Sequence, residues 1–137
     1  MAGIIAAVSL MTLLFTGAGK TNTPLLPGIN AKDQFPNGCI DCHKEISKTA
    51  DHRLNKVVSS IEKHPNIDKI VKTVPADCSI CHGKGKVPAL STITHKQHYA
   101  KPDTNVFISN YDGSCLNCHA LDIASGAMRI KSGARNW

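Results

Sequence analysis

One pentapeptide pattern occurs three times in this chain: Cys39-Ile40-Asp41-Cys42-His43, Cys78-Ser79-Ile80-Cys81-His82 and Cys115-Leu116-Asn117-Cys118-His119. The copies start 39 and then 37 positions apart, and they use all six cysteines. C-x-x-C-H is the covalent attachment signature of c-type haem. Its two thiols add across the porphyrin vinyl groups, and the adjacent imidazole ligates iron from the proximal side. From Cys39 to Trp137 there are 99 residues, or 33 for each site. So short a wrap cannot surround three macrocycles separately, so the porphyrins must lie close together.

The composition agrees. Three phenylalanines, two tyrosines and one tryptophan in 137 residues are too few for an ordinary aromatic core. The expected fold is therefore a small, mostly irregular or α multihaem cytochrome c domain, with a haem-built core and little regular secondary structure. Zinc and disulfides are the competing explanations of the cysteines. Structural zinc sites pair C-x-x-C elements about 12–20 residues apart, whereas the gaps between these motifs are 35 and 33 residues. Disulfides are compatible with export but leave unexplained a histidine after every second cysteine. The reading is three covalently attached haem c groups on Cys39, Cys42, Cys78, Cys81, Cys115 and Cys118, with His43, His82 and His119 as proximal iron ligands.

The formal charge of +6 raises nucleic acid as a partner. Haem propionates change that balance, because each ferric haem carries about −1 and each ferrous haem about −2. The lysines and arginines are also scattered along the chain, so no nucleic-acid partner is expected.

Three segments follow from composition. Residues 2–18 form an uncharged apolar stretch, short of the roughly 20 residues of a full span. Residues 1–18 are read as a signal peptide or a retained membrane anchor, both of which place the protein outside the cytoplasm: periplasmic, membrane-anchored or extracellular. Residues 19–38 carry three prolines and three glycines and read as a linker or irregular wrap. Residues 39–137 are the trihaem domain. Within it, Leu54, Val57, Val58 and Ile61 follow a helical period, which predicts a helix from Asp51 to His64, stopped by Pro65. Val106–Ile108 and Ala127–Lys131 are expected to be short extended pieces.

Each iron needs a sixth ligand unless it is open for chemistry. His52, His64, His95 and His98 compete with the lone Met128, so bis-histidine iron is expected throughout, with comparatively low potentials. On the expected helix His64 lies about 70° from the centre of the apolar face and His52 about 170° from it. His64, His95 and His98 are thus the expected distal ligands. His52 is held in reserve, as a surface histidine or a ligand to a neighbouring chain's haem. No histidine precedes Cys39, so the first haem takes its partner from downstream or from another chain.

The three motifs, the His95-x-x-His98 pair and the surplus of histidines over methionines resemble the multihaem class III cytochromes c, including their small trihaem members. The resemblance implies a compact fold, low-potential bis-histidine haems and electron transfer outside the cytoplasm. It also implies that His95 and His98 serve two different haems. Family members usually carry H-x-x-H before the first attachment site; here it precedes the third. The expected function is electron carriage between a redox protein donor and an acceptor. A subunit of a membrane redox complex or of an extracellular cytochrome polymer is the alternative. A small-molecule reductase with one open haem is a lesser one, since candidate ligands outnumber irons.

Overall fold

The structure is a computed structural model that describes residues 23–86 and 88–137; the expectations for residues 1–18 lie outside the described residues. It is small and mixes short helices with very short strands. The order is α1 (Cys39–Cys42), β1 (Glu45–Ser47), β2 (Ala50–Asp51), α2 (Leu54–Ser59), β3 (Thr73–Val74), α3 (Ser79–His82), α4 (Leu90–Tyr99), α5 (Val106–Tyr111), β4 (His119–Leu121), β5 (Met128–Ile130) and β6 (Gly133–Ala134). Single 3₁₀ turns occupy Ala76–Cys78, Pro102–Thr104 and Cys115–Asn117. The strands form three separate antiparallel pairs, β1 with β2, β3 with β6 and β4 with β5.

Two expected elements are corrected. The helix predicted from Asp51 to His64 runs only from Leu54 to Ser59. Asp51 instead lies in β2, where its carboxylate accepts from the Arg53 backbone and guanidinium. At the other end Ser59 and Ser60 turn their hydroxyls onto the Lys56 and Val57 carbonyls, competing with continued helix. Lys63 then adopts a left-handed φ of 62°. Of the expected apolar face, Val57 and Ile61 are exposed. The second correction concerns Val106-Phe107-Ile108, which opens α5 rather than a strand. The Asn105 side chain accepts from the Phe107 N–H at 3.0 Å, an N-cap that outweighs the β-branched start. Met128–Ile130 is extended, as β5.

The protein's own apolar core is minimal. Among the described residues the buried hydrophobic side chains are Val71, at 3% exposure, and Val74, at 1%. Meanwhile Ile46, Ile61, Ile80, Val106, Ile123 and Ile130 are each more than half exposed. Two valines cannot offset the conformational entropy of ordering a domain of this length.

Polar contacts from the last seven residues hold the segments together. Lys131 donates its backbone N–H to the Cys118 carbonyl at 2.9 Å. Its ammonium, 3% exposed, reaches Asp33 at 2.7 and 2.8 Å and the Leu116 carbonyl at 2.6 Å. Arg135 donates its N–H to Lys72 and its guanidinium to the Asp68 and Val71 carbonyls. Asn136 donates to the carbonyls of Ile40 and His43 at 3.2 and 2.8 Å. The strap therefore touches the first and third pentapeptides directly and the approach to the second through β3. Gly133 is required by close approach, since a Cβ there would lie 2.5 Å from the Ile40 side chain and 2.6 Å from Asn37.

Burial alone would raise the Asp33 carboxyl; the Lys131 hydrogen bond, the Phe35 N–H and the Lys131 charge together hold it below its ordinary value. Lys131→Ala leaves that carboxylate without its partner and is expected to cost about 3–5 kcal/mol, read as a shift in denaturant midpoint. Because the Asp33 pKa is depressed, its contribution is full above about pH 4 and is lost as pH falls through the folded-state value. The acid limb of the stability curve should therefore flatten in the variant. Gly133→Ala overpacks the strap and should cost about 1–3 kcal/mol in the same assay.

Candidate functional site

All three pentapeptides sit on helical turns. Cys39–Cys42 is α1, Ser79–His82 is α3, and Cys115–Asn117 is a 3₁₀ turn leading into β4, which begins at His119. A turn places thiols three residues apart on one side of the backbone. Local contacts set each turn. The Asp41 carboxylate receives the Asn37 backbone and side-chain N–H groups at 2.7 and 3.1 Å. Before the second motif, Asp77 accepts from the backbone of Lys72 and Thr73 at 2.7 and 2.9 Å. In the third, buried Asn117 donates to the Tyr111 carbonyl at 2.9 Å.

The histidines are arranged in opposed pairs, each joining one pentapeptide histidine to one of the other candidates. His43 faces His98 with ring centres 6.0 Å apart, His82 faces His64 at 6.1 Å, and His119 faces His95 at 6.2 Å. Parallel rings in face contact would lie about 3.5–4.0 Å apart. Two metal–imidazole bonds of about 2.0–2.1 Å set in line, with about 1.1 Å from each nitrogen to its ring centre, separate the centres by about 6.3 Å. The observed spacings fit a single iron between each pair.

Ring orientation strengthens that fit. His43 donates Nδ1–H to the His52 carbonyl at 3.2 Å, His64 to Pro65 at 2.9 Å and His82 to Pro88 at 2.9 Å. His95 and His98 donate to the Ser91 and Thr94 carbonyls, each at 2.8 Å. A carbonyl only accepts, so the proton sits on Nδ1 and the Nε2 lone pair is left for a metal. This is how a protein fixes the tautomer and direction of a metal-ligating imidazole. Burial, then the neighbouring His98, pushes His43 below its ordinary pKa against the opposing His52 carbonyl; burial, then His95 and Lys131, does the same to His119. Both shifts favour the neutral, ligating form.

Helix α4 carries two of these ligand candidates. Its Ser91-Thr92-Ile93-Thr94 start is a poor helix former. The Thr94 hydroxyl and both imidazoles bond back four residues to Leu90, Ser91 and Thr94, and the helix stops where Lys101 turns left-handed before Pro102. Positions three apart lie about 60° apart around a helix and about 4.5 Å along it. His95 and His98 therefore point to neighbouring faces and meet different partners.

The structure brings together His43, His64, His82, His95, His98 and His119 in pairs, and it leaves His52 out. The His52 side chain is exposed, and no ring pairing among the described residues includes it. Its backbone carbonyl, by contrast, orients His43. Sequence reasoning also missed Phe107, whose ring meets His98 edge to face at 5.0 Å and gathers Tyr99 and Tyr111 around it. The Ser91 and Thr94 carbonyls could have been found only by reading α4 as a helix.

No disulfide joins any of the six cysteines. Burial, followed by the neighbouring Cys118, pushes the Cys39 thiol up to about 12; burial also raises Cys42, Cys78 and Cys118. Thiols held protonated in this way do not resemble the low-pKa cysteines of redox or nucleophilic sites. Among the described residues no three His, Cys, Asp or Glu side chains converge on a shared metal position. A porphyrin supplies four equatorial nitrogens of its own, so an axial pair of imidazoles is a complete protein contribution. Donors for carboxylates are also present. Arg53, Lys56 and Arg135 line an open cavity of about 330 Å³ with Trp137, whose indole N–H is buried without a partner.

No family model, curated protein or solved structure matches the chain.

Proposed function

We propose that this chain is a trihaem c-type cytochrome that carries electrons outside the cytoplasm. The axial pairs are His43 with His98, His82 with His64, and His119 with His95. The observation that carries this reading is the coincidence of three pentapeptides with three opposed imidazole pairs, each at the spacing of an in-line metal. Cys39 and Cys42, Cys78 and Cys81, and Cys115 and Cys118 are the thioether attachment points. Each haem, when bound, supplies a reversible one-electron ferric/ferrous couple.

The chain's residues then hold, space and tune the three groups. His43, His64, His82, His95 and His98, each held by a backbone carbonyl, together with His119, would hold the three irons, and bis-histidine ligation would lower the potential relative to Met/His ligation. Full axial coordination favours electron carriage over substrate chemistry, which would need an open position and a proton donor. The exposed isoleucines and valines supply apolar surface to cover the porphyrin faces, which accounts for a chain whose own core is two valines. Arg53, Lys56, Arg135 and the Trp137 N–H offer partners to propionates. The resemblance to trihaem class III cytochromes points the same way, as does the uncharged apolar stretch at residues 2–18, read as a signal peptide or anchor. A redox protein donor and acceptor are the implied partners. Since every pentapeptide histidine has a partner within the chain, no ligand from a second chain is required.

Pyridine haemochrome absorbance and intact mass should both report three covalent haems per chain; fewer than three overturns the reading. The axial assignment has its own test. His64→Ala, His95→Ala and His98→Ala should each convert one third of the low-spin ferric iron to high-spin, at a different centre, with additive losses in the double variants. His52→Ala should leave the visible spectrum low-spin throughout. A high-spin third in the His52 variant, with none in the His64 variant, would reverse that part of the assignment.

A further inference from the structure

We propose that Phe107 is a positioning residue that keeps the His98 ring crossed to His43, making one of the three centres electronically unlike the other two. The inference rests on the trihaem reading. The ring spacings differ by only 0.2 Å across the three pairs, yet the planes of His43 and His98 stand at 86°. Those of His64 and His82 are 19° apart, and those of His95 and His119 are 5° apart. The pairs therefore differ in the angle between their ring planes rather than in distance.

That angle has a chemical consequence. An imidazole donates π density through the orbital normal to its ring, into whichever iron dπ orbital lies in that direction. Parallel rings act on the same dπ orbital and separate it in energy from the other. Crossed rings act on one each and leave the two nearly degenerate. A ferric centre with parallel rings gives a rhombic low-spin resonance; one with crossed rings gives a nearly axial resonance with a much larger highest g value. Axial-ligand electronics also set potential, so the crossed centre differs from its neighbours as an electron site.

The source of the crossing is visible. His95 and His98 hang from the same helix by the same bond, Nδ1 to the carbonyl four residues back, each at 2.8 Å. The helix alone therefore does not distinguish them. Their surroundings do. His95 has Tyr99 at 6.4 Å and 30°, a loose neighbour on one side. His98 is met by Phe107 at 5.0 Å and 80°, near the optimum of an edge-to-face pair. Phe107 is itself backed by Tyr99 at 5.6 Å and Tyr111 at 6.5 Å, and α5 is tied to the end of α4 through Asn105, which donates to the Gln97 and Ala100 carbonyls. Opposite, His43 is fixed in its own plane by the His52 carbonyl, from a different part of the chain. A His98 ring turned parallel to His43 would have to give up its present edge-to-face contact with Phe107.

The test is low-temperature electron paramagnetic resonance with spin quantitation on the fully oxidised, haem-loaded protein. One third of the low-spin iron is expected in the nearly axial signal and two thirds in rhombic signals. Phe107→Leu should shift that third toward a rhombic line, Phe107→Tyr should retain it, and Phe35→Leu, in the same aromatic cluster but not against His98, should leave it unchanged. If the leucine variant does not fold, Tyr111→Leu loosens Phe107 from behind and carries the same readout. Three rhombic signals at full spin count overturn the crossed centre while the trihaem reading stands. An unaltered nearly axial third in both loosening variants overturns the role of Phe107. Fewer than three haems per chain, or high-spin iron in the unaltered protein, overturns the trihaem reading itself.

Discussion

The opposed imidazole pairs are the constraint on which the rest of this structure depends. Each one joins segments that the chain's own packing barely holds: His43 to His98, His64 to His82, and His95 to His119. Without them the described residues offer a core of two valines and a set of two- and three-residue strand pairs. Such pairs are marginal in water unless a hydrophobic surface lies against them. On the trihaem reading that surface is the porphyrin faces, and the pairs are cross-links closed by metal. Folding and cofactor attachment are then one process, as in other small proteins whose fold is completed by a bound group.

The second load is carried by polar contacts from the strap after β5. Lys131 is the least exposed charged side chain here, and its ammonium satisfies a carboxylate from before the first motif and a carbonyl inside the third. A buried ion pair is weak evidence of net stability, but it is strong evidence of register, because only one docking of the strap satisfies both partners. Arg135 and Asn136 extend the same logic to β3 and to the first motif. Gly133 allows the strap to pass close to Ile40. The residues from 33 to 38 are held in turn, through Asp33 and through Phe35 against Tyr111.

What was legible in the sequence was the set of candidate attachment residues, because covalent attachment would demand fixed residues at fixed spacing. The pentapeptides and the His95-x-x-His98 pair were visible for that reason. His64 was preferred over His52 through a helix that in fact ends at Ser59, before His64, whose ring lies 6.1 Å from that of His82. Apolar periodicity misled there because Val57 and Ile61 face outward in the protein chain. Helix α4 went unseen for the opposite reason: its β-branched start argues against helix. The strap was unreadable because its function lies in long-range backbone acceptors, which leave no trace in local pattern.

Phe107 shows how the two levels meet. Its β-branched neighbours Val106 and Ile108 favour a strand, yet Asn105 caps a helix and turns the ring toward His98. The same local decision that makes α5 therefore also sets Phe107 edge to face against His98, a candidate axial imidazole on the trihaem reading. Among the described residues, His98 alone of the paired histidines has a phenylalanine set edge to face against its ring. The other pairs, next to Pro65, Pro88 and Tyr99, are oriented mainly by their own hydrogen bonds and settle near parallel. On the trihaem reading, inequivalent centres along a short chain of electron sites would follow from where this one phenylalanine is anchored.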